Sequence, residues 1–301
     1  MTIQEYLLSN GPTLSSELIS YFKKEGLSSE AIRKRLSRIS EPIYKIQGFF
    51  KDNQTFFYHI DHYNDERFYD SLRDALKNSA KRYYAIIVAL EYHNGYIRKE
   101  DLASYSFSPI KNLKSHKKFS SVIDDLIKLK IVVEENEYYR LTERISNRAN
   151  NNFNYYKAIE LSKEVIGNQF YNFSKSLGFV SYEKGKFNSE FAKFQFCFTA
   201  PSYITGLVKY GTKIQPAFVV ADILLGSINN ETSIDFFLQK VQIIKTQATS
   251  NFLPFLITDV LTQEAFKKLK ENGIIIGLVN KLFGDEYEEL LKSLISVVTN
   301  A

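Results

Sequence analysis

Cysteine occurs once in the 301 residues, as Cys197, so the chain can form neither an internal disulfide nor a cysteine-cluster zinc site. Tryptophan is missing, and proline (6) and glycine (13) are scarce, which excludes collagen-like repeats, a linker array and a turn-dense β-sandwich. No apolar run approaches the ~18 residues of a membrane helix; the longest, such as 274–279, have the length of a buried strand. The opening MTIQEYLLSNG has no basic stretch before an apolar segment, so no signal peptide is expected. These absences point to a reducing compartment, the cytoplasm, and to no membrane partner.

What is present is ordinary for a globular chain: 44% hydrophobic and 24% charged residues, enough to build a core and too apolar for disorder. At about 150 residues per domain, the length predicts two or three domains. Aromatic side chains reach 15%, nearly all Phe (24) and Tyr (20). The net charge is +5, with 24 Lys and Arg against 20 acids in residues 1–150 and 15 against 14 in the remainder. That bias permits nucleic acid without demanding it.

The N-terminal half reads as one motif twice. A short helical pattern over 3–9 stops at Asn10-Gly11-Pro12. Leu14, Leu18, Ile19 and Phe22 then recur at helical spacing, and Glu25-Gly26 breaks the pattern. Ser28 can cap a further helix over 29–40, with Ile32, Leu36 and Ile39 on one face and Arg33, Lys34, Arg35 and Arg38 on the other. Extended segments at 43–47 and 55–60 follow, around a polar turn. The second copy follows an acidic-aromatic helix at 65–78. It has helices at 81–93, 99–104 and 119–129, a short strand at 96–98, and a hairpin around Glu134-Glu135-Asn136. This order of elements resembles the winged helix-turn-helix, over residues 1–64 and 65–146. The resemblance implies that 29–40 is a recognition helix and 49–55 a wing.

Asn-rich residues 147–154 form the best linker, and the pattern then changes to alternating helix and apolar strand. A long helix over 155–177 precedes strands at 193–198 and 218–225, a helix at 233–246, a strand at 253–257, a helix at 263–271, a strand at 274–279 and a closing helix at 285–298. An α/β domain with a mixed sheet is expected over 155–301. The whole is thus an α+β or α/β chain.

The order of that second half resembles the restriction-endonuclease-like fold of the PD-(D/E)XK families. In active members two carboxylates bind Mg²⁺, which activates water, and a lysine orients the nucleophile. Here Ala200-Pro201-Ser202 and Ala221-Asp222-Ile223-Leu224 fall at the motif positions. Ser202 replaces the first acid and Leu224 the lysine, so a degenerate site without a metal cofactor is expected. A second register, Leu238-Gln239-Lys240, keeps a lysine but loses the acid and reads better as helix.

The cluster Arg33, Lys34, Arg35 and Arg38 is the sharpest functional signal, because arginine on a recognition helix contacts phosphates and guanine edges. Double-stranded DNA is the expected partner. Lys111, Lys114, Lys117 and Lys118 precede the third helix of the second copy and would add phosphate contacts. The acidic turn at 134–137 instead suits packing against protein. His59-x-x-His62 has metal-like spacing but reads as a surface polar cluster, and Cys197 between Phe196 and Phe198 reads as a buried thiol. The run Phe49, Phe50, Phe56, Phe57 and Tyr58 reads as packing before stacking platforms. No glycine-rich phosphate loop or Ser-His-Asp set can be assembled.

The reading is a DNA-binding regulator or targeting subunit with a non-catalytic nuclease-like domain, in a setting such as a mobile element or defence. Two alternatives stay open. One is an active Mg²⁺-dependent nuclease using Glu160 or Glu164 with Asp222 and Glu190. The other is an adaptor whose winged helices bind a protein partner or a second copy.

Overall fold

Thr2 opens the first helix with a reciprocal cap: its hydroxyl takes the Glu5 N–H, and the Glu5 carboxylate takes the Thr2 N–H. The computed structural model describes residues 1–145 and 152–300 of the chain. After α1 (Ile3–Asn10) the chain turns at Gly11, φ 88°, into β1 (Thr13–Leu14) and α2 (Ser15–Lys24). Ser28 caps α3 (Ser29–Ser37), its Oγ accepting the Ala31 N–H at 3.2 Å. A hairpin of β2 (Ile43–Ile46) and β3 (Phe56–His59) follows, and β1 adds to the far side of β3. Leu7, Leu18, Phe22, Ile32, Leu36 and Phe57 form the core beneath. Three helices and a three-stranded antiparallel sheet thus share this core.

The chain divides into two units, Met1–Tyr84 with Glu143–Asn147, and Ala85–Thr142 with Arg148–Ala301. The first runs past residue 64 because α4 (Glu66–Ser79), capped by Asp65, packs Phe68 against Phe56 and Tyr58 at ring separations of 5.9 and 5.0 Å. α5 (Lys81–Tyr92) begins in the first unit and ends in the second.

The second unit opens with β4 (Tyr96–Arg98), α6 (Lys99–Leu102), a 3₁₀ turn over Ala103–Tyr105, α7 (Phe119–Lys128), and a hairpin of β5 (Val132–Glu135) and β6 (Tyr138–Leu141). Its small sheet is ordered β4-β6-β5 and antiparallel throughout. The sequence expectation of a helix over 99–104 resolves into one α-turn plus the 3₁₀ turn.

Residues 147–151 of the expected linker lie outside the described residues. Asn152 caps α8 (Phe153–Ser176), accepting the Tyr155 N–H. Then come β7 (Lys186–Phe191), β8 (Phe194–Ser202), β9 (Ala217–Asn229), α9 (Glu231–Gln247), β10 (Phe252–Leu261), α10 (Gln263–Glu271), β11 (Ile275–Leu278), α11 (Val279–Phe283) and α12 (Asp285–Thr299). The five strands make one sheet, β11-β10-β9-β8-β7, antiparallel from β7 to β9 and parallel from β9 to β11. β7 escaped the sequence reading because it is a polar edge strand that buries only Phe191. No helix among the described residues is long and apolar enough to cross a membrane.

Candidate functional site

The ladder between β8 and β9 runs from Ser202↔Ala217 to Phe198↔Ala221 and then stops. Beyond it, side chains take over the backbone groups that the two strands no longer satisfy for each other. Asp222 Oδ1 accepts the Cys197 N–H at 2.8 Å, and the Tyr105 hydroxyl donates to the Ile223 carbonyl at 3.0 Å. Lys240, reaching over from α9, donates to the Gln195 carbonyl at 2.9 Å and the Ser104 carbonyl at 2.7 Å. Its Nζ also lies 2.5 Å from Asp222 Oδ2 and 4.1 Å from the Phe196 ring centre.

Asp222 and Lys240 are both fully enclosed. Burial pushes the Asp222 carboxyl upward and the Lys240 ammonium downward, while their mutual attraction opposes both shifts. The carboxylate has one oxygen on a backbone N–H and the other on an ammonium. The ammonium in turn has three oxygen acceptors. Such a pair stays charged only because its remaining hydrogen-bonding capacity is met.

Ser202 does not join this cluster. Its partner across the ladder is Ala217, which places it about 16 Å from the Asp222 level at ~3.3 Å per residue. Cys197, not Ser202, stands across from Asp222, so pairing the Pro-Ser with the Asp-x-Leu is corrected by strand register. Ser202 is buried, and its hydroxyl finds no hydrogen bond among the described residues. Leu224 shares the Asp222 face of the strand and is buried core. Cys197 is buried, and burial first, then the Asp222 charge, pushes its thiol up to about 12. It is therefore a neutral side chain at ordinary pH.

Lys240 is the residue that sequence reasoning dismissed as helical. It is helical, yet its neighbours Phe236, Phe237, Val241 and Ile244 are all buried. A lysine on the apolar stripe of a helix is the signal that marks it.

The acids of the nuclease alternative are scattered among other partners. Lys111 Nζ sits 2.5 Å from Glu190, and Arg98 Nε sits 2.7 Å from Glu160. Glu164 is exposed on α8. No three acids, histidines or cysteines among the described residues come together to hold a metal ion. His59 and His62 are both buried; the Nδ1 of His59 accepts the Asp61 N–H at 3.3 Å.

In the first unit, α3 turns Ile32 and Leu36 inward and leaves Arg33, Lys34, Arg35 and Arg38 exposed. None of the four takes part in an ion pair among the described residues, so their charge is directed at solvent. Phe50, Phe56 and Phe57 are buried in the same unit, which removes them as stacking platforms. Lys114 and Lys118 are exposed in the second unit, but Lys117 is paired with Asp125 on α7. The Ile110 N–H and the Lys193 ammonium bond this basic loop to the turn between β7 and β8.

No protein-family model and no curated protein sequence matches this chain. Among solved structures, protein VC1899 from Vibrio cholerae is similar at a TM-score of 0.26 and 8% identity, over 73% of this chain and 50% of that one. The restriction endonuclease FokI bound to DNA is similar at a TM-score of 0.27 and 12% identity, over 90% of this chain and 59% of that one. The chain therefore spans about half to three-fifths of the length of these proteins. Both likenesses are weak, and neither assigns a role to any residue here.

Proposed function

We propose that the protein binds double-stranded DNA through α3 and carries its α/β domain as a nuclease-like module that does not cleave, as a regulator or targeting subunit would. The observation that carries the reading is the exposed, unpaired set Arg33, Lys34, Arg35 and Arg38 on the second helix of a helix-turn-helix. Its apolar side is buried on α2, so the cationic side is the one free to enter a groove. The second winged module supports a different role. Its hairpin turn carries Glu134, Glu135 and Glu137, and Lys111 and Lys117 of its basic loop are engaged by acids of the same unit. Packing against protein suits it better than reading bases.

The loss of cleavage rests on Asp222, whose two oxygens are occupied by the Cys197 N–H and by Lys240. Fluorescence anisotropy of a labelled duplex between 50 and 200 mM salt tests the binding half. Affinity should fall steeply with salt. Replacing Arg33, Lys34 and Arg38 together by Ala should weaken binding and reduce the salt slope by about 0.9 per lost phosphate contact. A folded triple variant that binds as the wild type does would remove α3 from the interface.

A further inference from the structure

The end of the large sheet where β8 stops is also where β7, β9 and β10 begin, since Lys186 pairs with Thr199, Ser202 with Ala217 and Phe218 with Phe252. Two connecting segments lie at that end, residues 177–185 before β7 and 203–216 between β8 and β9. Both are pinned through the backbone. The Ser181 N–H donates to the Pro201 carbonyl at 3.0 Å, and the Tyr171 hydroxyl donates to the Tyr182 carbonyl at 2.6 Å. In the longer segment Lys209 and Gln215 exchange backbone hydrogen bonds of 3.1 and 3.0 Å, and the Asn251 side chain donates to the Leu207 carbonyl at 2.8 Å.

These fixed segments turn their aromatic side chains to solvent. Tyr182 is 71% exposed, Tyr203 53% and Tyr210 69%, with Ile214 at 59% beside the last. Tyr63 in the first unit is also exposed, but it stacks on Tyr58 with ring centres 5.7 Å apart. Among the described residues no ring contact engages Tyr182, Tyr203 or Tyr210. A ring held out by an ordered backbone forgoes burial, and such groups gathered at one place mark a contact surface.

Charge narrows the kind of partner. Residues 177–186 and 203–216 carry four lysines, at 184, 186, 209 and 213, against one acid, Glu183. Lys184, Lys186 and Lys213 are exposed, and none of them forms an ion pair among the described residues. The complement is therefore a polyanion that also offers flat apolar faces. A duplex hides its base faces in its own stack, whereas an unpaired strand exposes them beside its phosphates. A lipid surface would call for a broader aliphatic face than Ile214 provides among three hydroxyl-bearing rings.

We propose that this end of the sheet binds single-stranded DNA, with bases stacked on Tyr182, Tyr203 and Tyr210 and phosphates on Lys184 and Lys213. Ile214 suits the methyl group that thymine has and uracil lacks. The face lies in the second unit and does not involve α3, so it stands apart from the duplex-binding reading. Fluorescence anisotropy of the full chain with labelled oligo(dT) of about ten nucleotides tests it, with oligo(rU) and a duplex as comparators. Oligo(dT) should bind more tightly than oligo(rU). Tyr182→Ala and Tyr210→Ala, at exposed positions, should each weaken oligo(dT) about tenfold, the worth of one stacked base, and leave duplex affinity unchanged. Tyr210→Phe, which keeps the ring, should bind as the wild type does. Replacing Lys184 and Lys213 together by Ala should lower the salt slope by about 0.7 per lost phosphate contact. The α3 triple variant should lose duplex affinity and keep the tyrosine-dependent share of oligo(dT) binding, which separates failure of one reading from failure of the other. Oligo(dT) binding unchanged in both tyrosine-to-alanine variants overturns the proposal, as does tighter binding of oligo(rU). Co-sedimentation with phosphatidylserine vesicles that is lost in these variants while oligo(dT) binding persists would overturn it too, by making the face a membrane contact.

Discussion

Lys240 Nζ stands 2.5 Å from Asp222 Oδ2 although the two residues come from different elements, helix α9 and strand β9, and neither exposes any surface. The lysine also binds the carbonyls of Gln195 on β8 and Ser104 in the 3₁₀ turn before α7. One ammonium therefore ties together the strand end, the helix and the 3₁₀ turn over Ala103–Tyr105. The place where the two strands part is filled by protein.

Removing one charge of this pair should be far worse than removing both. Lys240→Met leaves the Asp222 carboxylate buried without its cation and should cost about 3–5 kcal/mol. Asp222→Leu should cost a similar amount for the converse reason. The double variant should be less destabilised than the sum, with a coupling of about 1–3 kcal/mol in a urea-unfolding cycle. Additive costs would show that the two side chains do not sense each other.

The elements of the α/β half were legible because their apolar periods are clean: α10 has the bounds that its spacing predicts, β10 contains the expected run, and β11 lies within its own. What the sequence hid is pairing. The Pro-Ser and the Asp-x-Leu segments both lie on strands, but only the register shows that Ser202 meets Ala217 and that Asp222 faces Cys197. Lys240 was visible as a residue and invisible as a partner, because helical spacing reveals a face and not what the face meets. The charged face of α3 was legible because amphipathic spacing alone decides it.

His93 should make the protein acid-sensitive. It is fully buried, and burial first, then the charge of Lys163, lowers its imidazole to about 3 although its Nδ1 lies 2.8 Å from the Ala89 carbonyl. The unfolded chain, with an ordinary value near 6.5, binds this proton first as the pH falls. Stability is thus present above about pH 6.5 and is lost progressively between 6.5 and 3. The share due to His93 is about 1.4 kcal/mol between pH 7.5 and 5.5. Urea unfolding at both pH values should show a smaller acid loss in His93→Gln than in the wild type. Equal losses would place the sensitivity elsewhere.

Gly226 should tolerate no side chain. Its φ is +93°, and a Cβ there would lie 2.3 Å from Ile159 Cδ1 and 2.6 Å from the Tyr155 hydroxyl, both on α8. Its N–H is held by Asp259 at 2.7 Å and its carbonyl by Tyr155 at 2.9 Å, so the backbone has little room to shift. Gly226→Ala should cost about 2–4 kcal/mol from strain and overpacking together. A melting temperature within a degree of the wild type would show that α8 yields.

The purified protein should not cleave nucleic acid. Metal-assisted hydrolysis needs at least two carboxylates with free oxygens around one cation and a cationic group beside the attacking water. Asp222 has neither oxygen free, and the position across from it is a neutral thiol. Leu224 brings no charge, and Lys240 is saturated by three acceptors. Freeing Asp222 would require breaking the ion pair and leaving the Cys197 N–H unbonded, which a metal bound through one carboxylate cannot offset. Supercoiled and linear DNA, and RNA, incubated in Mg²⁺ or Mn²⁺ should therefore stay intact. Nicking that co-elutes with the wild-type protein on gel filtration, and stops when the metal is chelated, would mean that the strands open around Asp222 in solution.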